Sequence, residues 1–290
     1  MAIDRETTNK RIAESNRKRG VFSVDICSKH GFGAKLEWVL EILAYCEESQ
    51  LAPQFRFTYP GLSKGQDYFQ CFFEINSDIH DDGSLEFVEI RSIHELDLGK
   101  NYDEILNIDL ASELINKYLL VKSNVLREVD KFCVERFRDE RVLGVHYRGT
   151  DKSNEAPLVS YDNVEKNINY YLKRYPETAY VFLSSDDENF VKFAENCSIT
   201  RPVLSRNDTY RATDNTAIHQ SVQDKYDVNR DALVNCLILS RCDALIKTAS
   251  ILSAWSVLFN PKLPLVMLNK PFKLWFPERD LAENVMYEPI

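Results

Sequence analysis

The sequence predicts an α/β fold built on parallel sheets. Three observations carry this expectation. Short apolar runs rich in β-branched and aromatic residues occur at strand length, among them 21–26 (VFSVDI) and 142–147 (VLGVHY). Between such runs lie segments whose apolar residues recur at helical spacing. The two kinds alternate through the second half, strand then helix, as parallel strands with crossover helices require. A chain of 290 residues, 44% hydrophobic, is long enough for two ordinary domains or one large one.

Residues 4–19 are polar on every side and predict a frayed helix or a mobile tail. Residues 21–26 then form a buried strand. Gly31-Phe32-Gly33 follows as a turn, and Leu36, Val39, Leu40 and Leu43 fall at i, i+3, i+4 and i+7 of a helix. Strand, glycine turn and helix make the opening unit of a doubly wound sheet. Residues 50–110 are aromatic-rich, with Phe55, Phe57, Phe72 and Phe73 among them, and carry an acidic turn at 80–83. Short strands and loops are expected there. From 104 to 138 the pattern is helical, with Val125, Val129 and Phe132 on one face. A strand is expected at 142–147, and a helix follows through Val164, Ile168 and Leu172. The next strand is at 180–183, with a helix to 196 capped within Ser184-Ser185-Asp186-Asp187. Residues 198–228 read as a polar, irregular loop. A helix through Leu233 and Leu237, a strand at 244–246, a helix at 250–259 and a strand at 265–268 complete the series. A boundary near 138–142 gives two Rossmann-like halves, residues 1–140 and 141–290.

Composition excludes several classes. The net charge of −9 argues against a nucleic-acid-wrapping protein and leaves room for a local basic cleft. The cysteines at 27, 46, 71, 133, 197, 236 and 242 are odd in number and contain no CxxC, so reduced, mostly buried thiols are expected. The first 20 residues lack the apolar run of a signal peptide, and no stretch is apolar enough for a membrane span. The expectation is a soluble, full-length, unsecreted cytoplasmic protein. No D-x-D, GxSxG, HExxH or GxxxxGK[ST] sequence occurs.

Ligands of open α/β sheets bind outside the carboxyl ends of strands, and three clusters lie at such ends. The first is Gly144-Val145-His146-Tyr147-Arg148-Gly149-Thr150-Asp151-Lys152. Arg148 offers a planar fork suited to a diphosphate, Lys152 adds a point charge, and Asp151 can hold either. A salt-bridged turn is the plainer reading of the same residues. The second is Gly31-Phe32-Gly33, where permissive glycines at a helix start accept an anion or a sugar hydroxyl, or make only a tight turn. The third is Lys247-Thr248-Ala249-Ser250, where Ser250 and nearby N–H groups either hold phosphate oxygens or cap the helix. Asp186 and Asp187 are a similar case. Carboxylates there suit ribose, base or sugar hydroxyls, and helix capping explains them equally well.

These clusters carry a resemblance. GVHYRGTDKSNEA resembles the first signature of the α-1,6-fucosyltransferase and protein O-fucosyltransferase superfamily, which includes the rhizobial chitin-oligosaccharide fucosyltransferases. YVFLSSDDENFVKFA resembles its second, and RDALVNCLILSRCDALIKTASILSAWSVLFNP its third. The HGFG turn and the YFQCFF stretch are similar as well. The resemblance implies a GT-B-like fold, with two Rossmann-like domains facing a cleft: acceptor side at 1–140, nucleotide-sugar side at 141–290. It implies inverting transfer of fucose from GDP-fucose to a glycan acceptor, without metal or cofactor. It matches His146, Lys152 and Ser250 to donor-binding positions and Asn235 to the base-reading one, and Asp186, Gly31 and Gly33 join them as substrate-binding candidates from their places at strand ends and helix starts. It gives Arg148 the β-phosphate, and makes Glu155, then Asp151, the catalytic carboxylate.

Three positions depart from the family pattern. Gly149 stands where many relatives have a second arginine. Glu155 lies one residue closer to Asp151 than in the core-fucosylating enzymes. Asn235 replaces an aspartate that reads guanine, and an amide cannot accept both hydrogen bonds that a carboxylate takes from that base. Two other readings follow from these departures: a transferase for a different nucleotide sugar, and a nucleotide- or glycan-binding protein without turnover. Family members of the Golgi carry an anchor and lumenal disulfides. This chain, with neither expected, reads as a cytoplasmic member acting on glycans before export.

Overall fold

The structure, a computed structural model, describes residues 5–61, 66–77, 79, 83–150, 154–214, 218, 222 and 224–283. The chain separates into two compact units. One comprises Met1–Leu106 with Leu110–Lys122, the other Asn107–Asp109 with Ser123–Ile290. Residues 123–140, assigned by sequence to the first half, therefore belong with the second unit.

In the first unit, α1 (Arg5–Lys18) precedes β1 (Val21–Cys27), α2 (Phe32–Ser49) and β2 (Ala52–Thr58). Then come β3 (Phe73–Ile75), β4 (Val88–Ile90), α3 (Tyr102–Ile105), α4 (Ile108–Tyr118) and β5 (Leu119–Val121). A parallel sheet of order β2-β1-β4 sets Val24 opposite both Phe55 and Val88. Central β1 buries Val21, Phe22, Val24 and Ile26, as a strand covered on both faces must. Edge strand β2 buries alternate residues and tolerates Pro53, because an edge does not need every N–H. Helix α2 buries Leu36, Val39, Leu40 and Leu43 and stops at Gln50, whose left-handed backbone (φ 54°) returns its N–H to Cys46 and Glu47.

The first segment is a helix, α1, rather than a tail. It is anchored by amides instead of an apolar stripe, which is why its sequence reads as polar. Asn16 is buried and donates to Ser23 Oγ (2.6 Å) and the Glu86 carbonyl (2.7 Å). Asn9 donates to the Glu89 carbonyl at 2.7 Å. The helix expected over 104–138 is interrupted at β5. There Leu119–Val121 turn their backbone bonds to β3, antiparallel, with Val121 opposite Phe73.

The second unit contains α5 (Ser123–Phe137), β6 (Val142–Tyr147), α6 (Tyr161–Arg174), β7 (Tyr180–Ser185), α7 (Glu188–Asn196) and β8 (Val203–Leu204). It continues with α8 (Lys225–Leu239), β9 (Ala244–Lys247), α9 (Ile251–Phe259), β10 (Leu265–Met267) and α10 (Glu278–Glu283). All five strands are parallel in the order β10-β9-β6-β7-β8. Strand β8 lies inside the stretch expected to be a loop. Two residues are too short to show a period, yet Val203 pairs with Val181 and extends the sheet.

Strand β6 is buried at every position. Leu143 and Val145 pack with Val164, Ile168 and Phe190 of α6 and α7. Gly144 points the other way, where an added Cβ would stand 3.1 Å from Cys242 Sγ and Leu239 Cδ2. The missing side chain is what lets the end of α8 approach the sheet. The seven cysteines are all unpaired. Cys46, Cys236 and Cys242 are buried and the other four half-buried, so burial is less general than expected. No helix among the described residues is long and apolar enough to cross a membrane.

Candidate functional site

In the second unit, chain order along the sheet reverses between β6 and β9, and the carboxyl ends at such a switch point are where open α/β sheets bind ligands. The reciprocal bonds there are specific. Thr248 donates its N–H to the His146 carbonyl (3.0 Å), and its Oγ1 accepts from the Arg148 N–H (2.8 Å). The two strand ends therefore fix each other, and the side chain of Arg148 leaves from a clamped backbone.

Asp186, one residue past β7, aims that side chain. Its carboxylate accepts from Arg148 Nε (3.0 Å), the Gly149 N–H (3.2 Å) and Thr150 Oγ1 (2.7 Å). Arg148 keeps 21% of its side-chain surface exposed and Asp186 13%, so the pair sits at the mouth of the site. The sequence left both acidic residues after β7 open between capping and binding, and the structure divides them. Asp187 caps α7, accepting from the N–H groups of Asn189 (2.9 Å) and Phe190 (3.3 Å). Asp186 turns to Arg148.

Gly149 is packed tightly. A Cβ there would lie 2.5 Å from both Asp187 Oδ2 and Tyr147 Cε1. Neither neighbour can yield easily. Asp187 Oδ2 accepts from Tyr161 Oη (2.7 Å), and Tyr147 Oη donates to the Val159 carbonyl (2.8 Å). Burial, then the carboxylates of Asp187 and Asp186, push the Tyr147 hydroxyl up to about 12. A cavity of about 420 Å³ opens on this side, with Gly149, Tyr161, Asp187, Asn189 and Asp214 in its wall.

Ser250 takes the expected position at the helix start, as the N-cap of α9, but its side chain does not cap. Its N–H donates to the Glu278 carboxylate, which also holds Lys247 Nζ at 2.8 Å. Lys247 is fully buried and Glu278 is 4% exposed. The backbone N–H expected to meet a phosphate thus already meets an internal anion. Sequence reasoning missed Glu278, which lies in a segment with no readable period. The one available signal was a lysine ending an otherwise apolar strand.

The remaining predicted residues are more dispersed. His146 is buried at the end of β6. Glu155 is exposed, and its carbonyl accepts from the Phe272 N–H at 2.8 Å. Asn235 is buried on α8, which packs against α5 and α9. Asp151 and Lys152 lie outside the described residues. Gly31 and Gly33 belong to the first unit. Gly31 caps α2 with φ −64° and ψ 164°, a backbone open to any residue, so glycine is not required there for its left-handed freedom.

Also in the first unit, fully buried Lys35 donates to the carbonyls of Thr58 (2.8 Å) and Ile26 (3.3 Å), at the ends of β2 and β1. Its Nζ stands 3.5 Å from the centroid of the Tyr59 ring. Nearby Asp25 accepts from Thr58 Oγ1 (2.8 Å), and burial pushes its carboxyl up to about 6. Among the described residues, no group of three or more His, Cys, Asp or Glu is arranged to hold a metal ion.

No protein-family model matches the sequence, and no curated protein matches it. Solved structures do share its fold. NodZ α-1,6-fucosyltransferase of Bradyrhizobium, soaked with GDP-fucose, is 16% identical at a TM-score of 0.52, covering 85% of this chain and 94% of that one. POFUT1 in complex with GDP is 12% identical at 0.51, covering 85% and 98%. A point mutant of Arabidopsis thaliana FUT1 in complex with GDP is 10% identical at 0.53, covering 89% and 73%. The α/β architecture expected from the sequence is thus the one these fucosyltransferase structures have.

Proposed function

We propose that the chain is an inverting, metal-independent glycosyltransferase that moves fucose from GDP-fucose to a hydroxyl of a glycan acceptor. The observation that carries this reading is Arg148. It projects from the switch point of a parallel sheet, clamped through its backbone by Thr248 and aimed by Asp186. Neighbours of the same fold hold GDP or GDP-fucose, which supports a nucleotide-sugar donor.

In this reading an acceptor oxygen attacks the anomeric carbon as the bond from that carbon to the diphosphate oxygen breaks. Negative charge grows on the leaving diphosphate, and the Arg148 guanidinium is positioned to stabilise it. A preorganised donor of this kind is worth ~10²–10³ in rate. The Asp186 carboxylate keeps the guanidinium in place, so little reorganisation accompanies the reaction. The acceptor proton passes to a carboxylate, with Glu155 the first candidate and Asp151 the second. We assign the donor to the second unit and the acceptor side to the first.

Calorimetry with GDP, UDP and ADP, followed by a transfer assay, tests the reading in wild type and Arg148→Ala. We expect GDP to bind wild type most tightly, and Arg148→Ala to lose ~10²–10³ of the transfer rate. Near wild-type transfer and affinity in Arg148→Ala would sink the assignment. A second reading, a donor with another base, is favoured by Asn235, whose amide has one acceptor oxygen and two donor hydrogens. Tighter binding of UDP or ADP than of GDP would select it.

A further inference from the structure

The segment after β10 touches both loops that flank the switch point, mostly through hydrogen bonds to their irregular backbone. Asn269 Oδ1 accepts from the Ala249 N–H (2.6 Å), and its Nδ2 donates to the Pro157 carbonyl (2.7 Å). The Phe272 N–H donates to the Glu155 carbonyl (2.8 Å). Glu278 accepts from the Ser250 N–H and from Lys247 Nζ. One stretch therefore ties the β6–α6 loop, which follows Arg148, to the β9–α9 loop, which carries Thr248.

We propose that residues 269–278 form a positioning strap for the donor site, in which Asn269 and Glu278 hold the loops that place Arg148. Glu278 is a fixed internal anion at the start of α9, and not a lid that a phosphate displaces. The reason is Lys247. Withdrawing the carboxylate would break an ion pair to a fully buried ammonium, which is strongly unfavourable. Two anions at one helix start would also repel, and a single buried lysine does not offset both. The Ser250 N–H therefore serves the strap and leaves the grip on the donor's phosphates to Arg148. Force on the site passes from Asn269 and Glu278 to residues 248–250, and from Thr248 to the Arg148 backbone.

The inference rests on the reading of Arg148 as the phosphate-binding residue, and its test separates the two. Amide hydrogen exchange on the nucleotide-free full chain is read at Ala249, Ser250 and Phe272, the backbone donors of the strap's bonds. Calorimetry with GDP is run beside it. The variants are Asn269→Ala, Glu278→Ala, and Glu278→Gln combined with Lys247→Met. The last keeps a hydrogen-bond acceptor for Ser250 and removes both buried charges.

We expect faster exchange at Ala249 in Asn269→Ala and at Ser250 in Glu278→Ala. GDP should bind each about tenfold more weakly, although neither side chain touches it in this scheme. The neutral pair should return GDP affinity to within about twofold of wild type, whereas a role in stability alone would leave affinity of the folded protein unmoved throughout. Tighter GDP binding in Glu278→Ala would overturn the proposal, because it would make Glu278 a competing plug. Faster exchange with unchanged GDP affinity would overturn it too. If wild type binds no GDP, the proposed donor fails. The strap is then judged on exchange alone, and unchanged exchange in both single variants refutes it.

Discussion

Arg148 and Gly149 divide two demands between adjacent residues. Arg148 supplies the cation, and Gly149 supplies the room in which Asp186 and Asp187 approach it from the next strand. A second arginine at position 149 has no space here, because even a Cβ would stand 2.5 Å from Asp187 Oδ2. Gly149→Ala should therefore destabilise the fold by ~1–3 kcal/mol, the usual cost of overpacking. Urea denaturation checks this, and a variant as stable as wild type would show that the loop has slack. The candidate arginine was legible in the sequence, since a buried strand running into His, Arg, Asp and Lys is unusual on local grounds. Its partner was only half legible. Ser185-Asp186-Asp187 could be seen at a strand end, but which carboxylate caps and which turns inward depends on where β6 lies beside β7.

At the scale of elements, periodicity found nearly all of the second unit, because its helices and strands bury regular apolar faces. It failed where polar groups or short ladders hold the chain. Helix α1 is tied by Asn9 and Asn16, and an amide on a helix face reads as solvent-exposed. Strand β5 breaks a helical pattern because β3 offers its backbone a partner at Leu119–Val121, a pairing across the intervening 43 residues that no local window contains. Helix α7 depends on its cap. Asp187→Ala removes the acceptor of the Asn189 and Phe190 N–H groups and also of the Tyr161 hydroxyl. Thermal denaturation should show a loss of ~1–2 kcal/mol, with Asp187→Asn recovering most of it, because an amide oxygen still caps. Equal losses in the two variants would mean that the charge, and not the cap, matters.

For the whole molecule, the buried carboxyls of Glu41 and Asp231 and the half-buried one of Asp25 each make a contribution to stability that depends on pH. Burial, then Asp103, pushes Glu41 up to about 7. Burial likewise pushes Asp25 and Asp231 up to about 6, with Thr58 and Arg206 respectively opposing it. The same groups ionise near 4 in an unfolded chain. Between these values the folded protein holds protons that the unfolded chain has released. Their contribution is complete below pH ~4 and is lost as pH rises through the folded values. Wild type should therefore lose more stability than Glu41→Gln between pH 5 and 8, as denaturation at several pH values would measure, and parallel curves would disprove it. By itself the sequence determined the α/β class, the strand whose end carries Arg148, and the apolar faces that bury the helices. All of these follow from spacings within a few turns of chain. Only the tertiary structure decided that Asp186 aims the arginine and that Glu278, 28 residues from Ser250, occupies the start of α9. Such pairings depend on which strands lie adjacent in the folded sheet, and on which buried charge needs a partner, and local periodicity encodes neither.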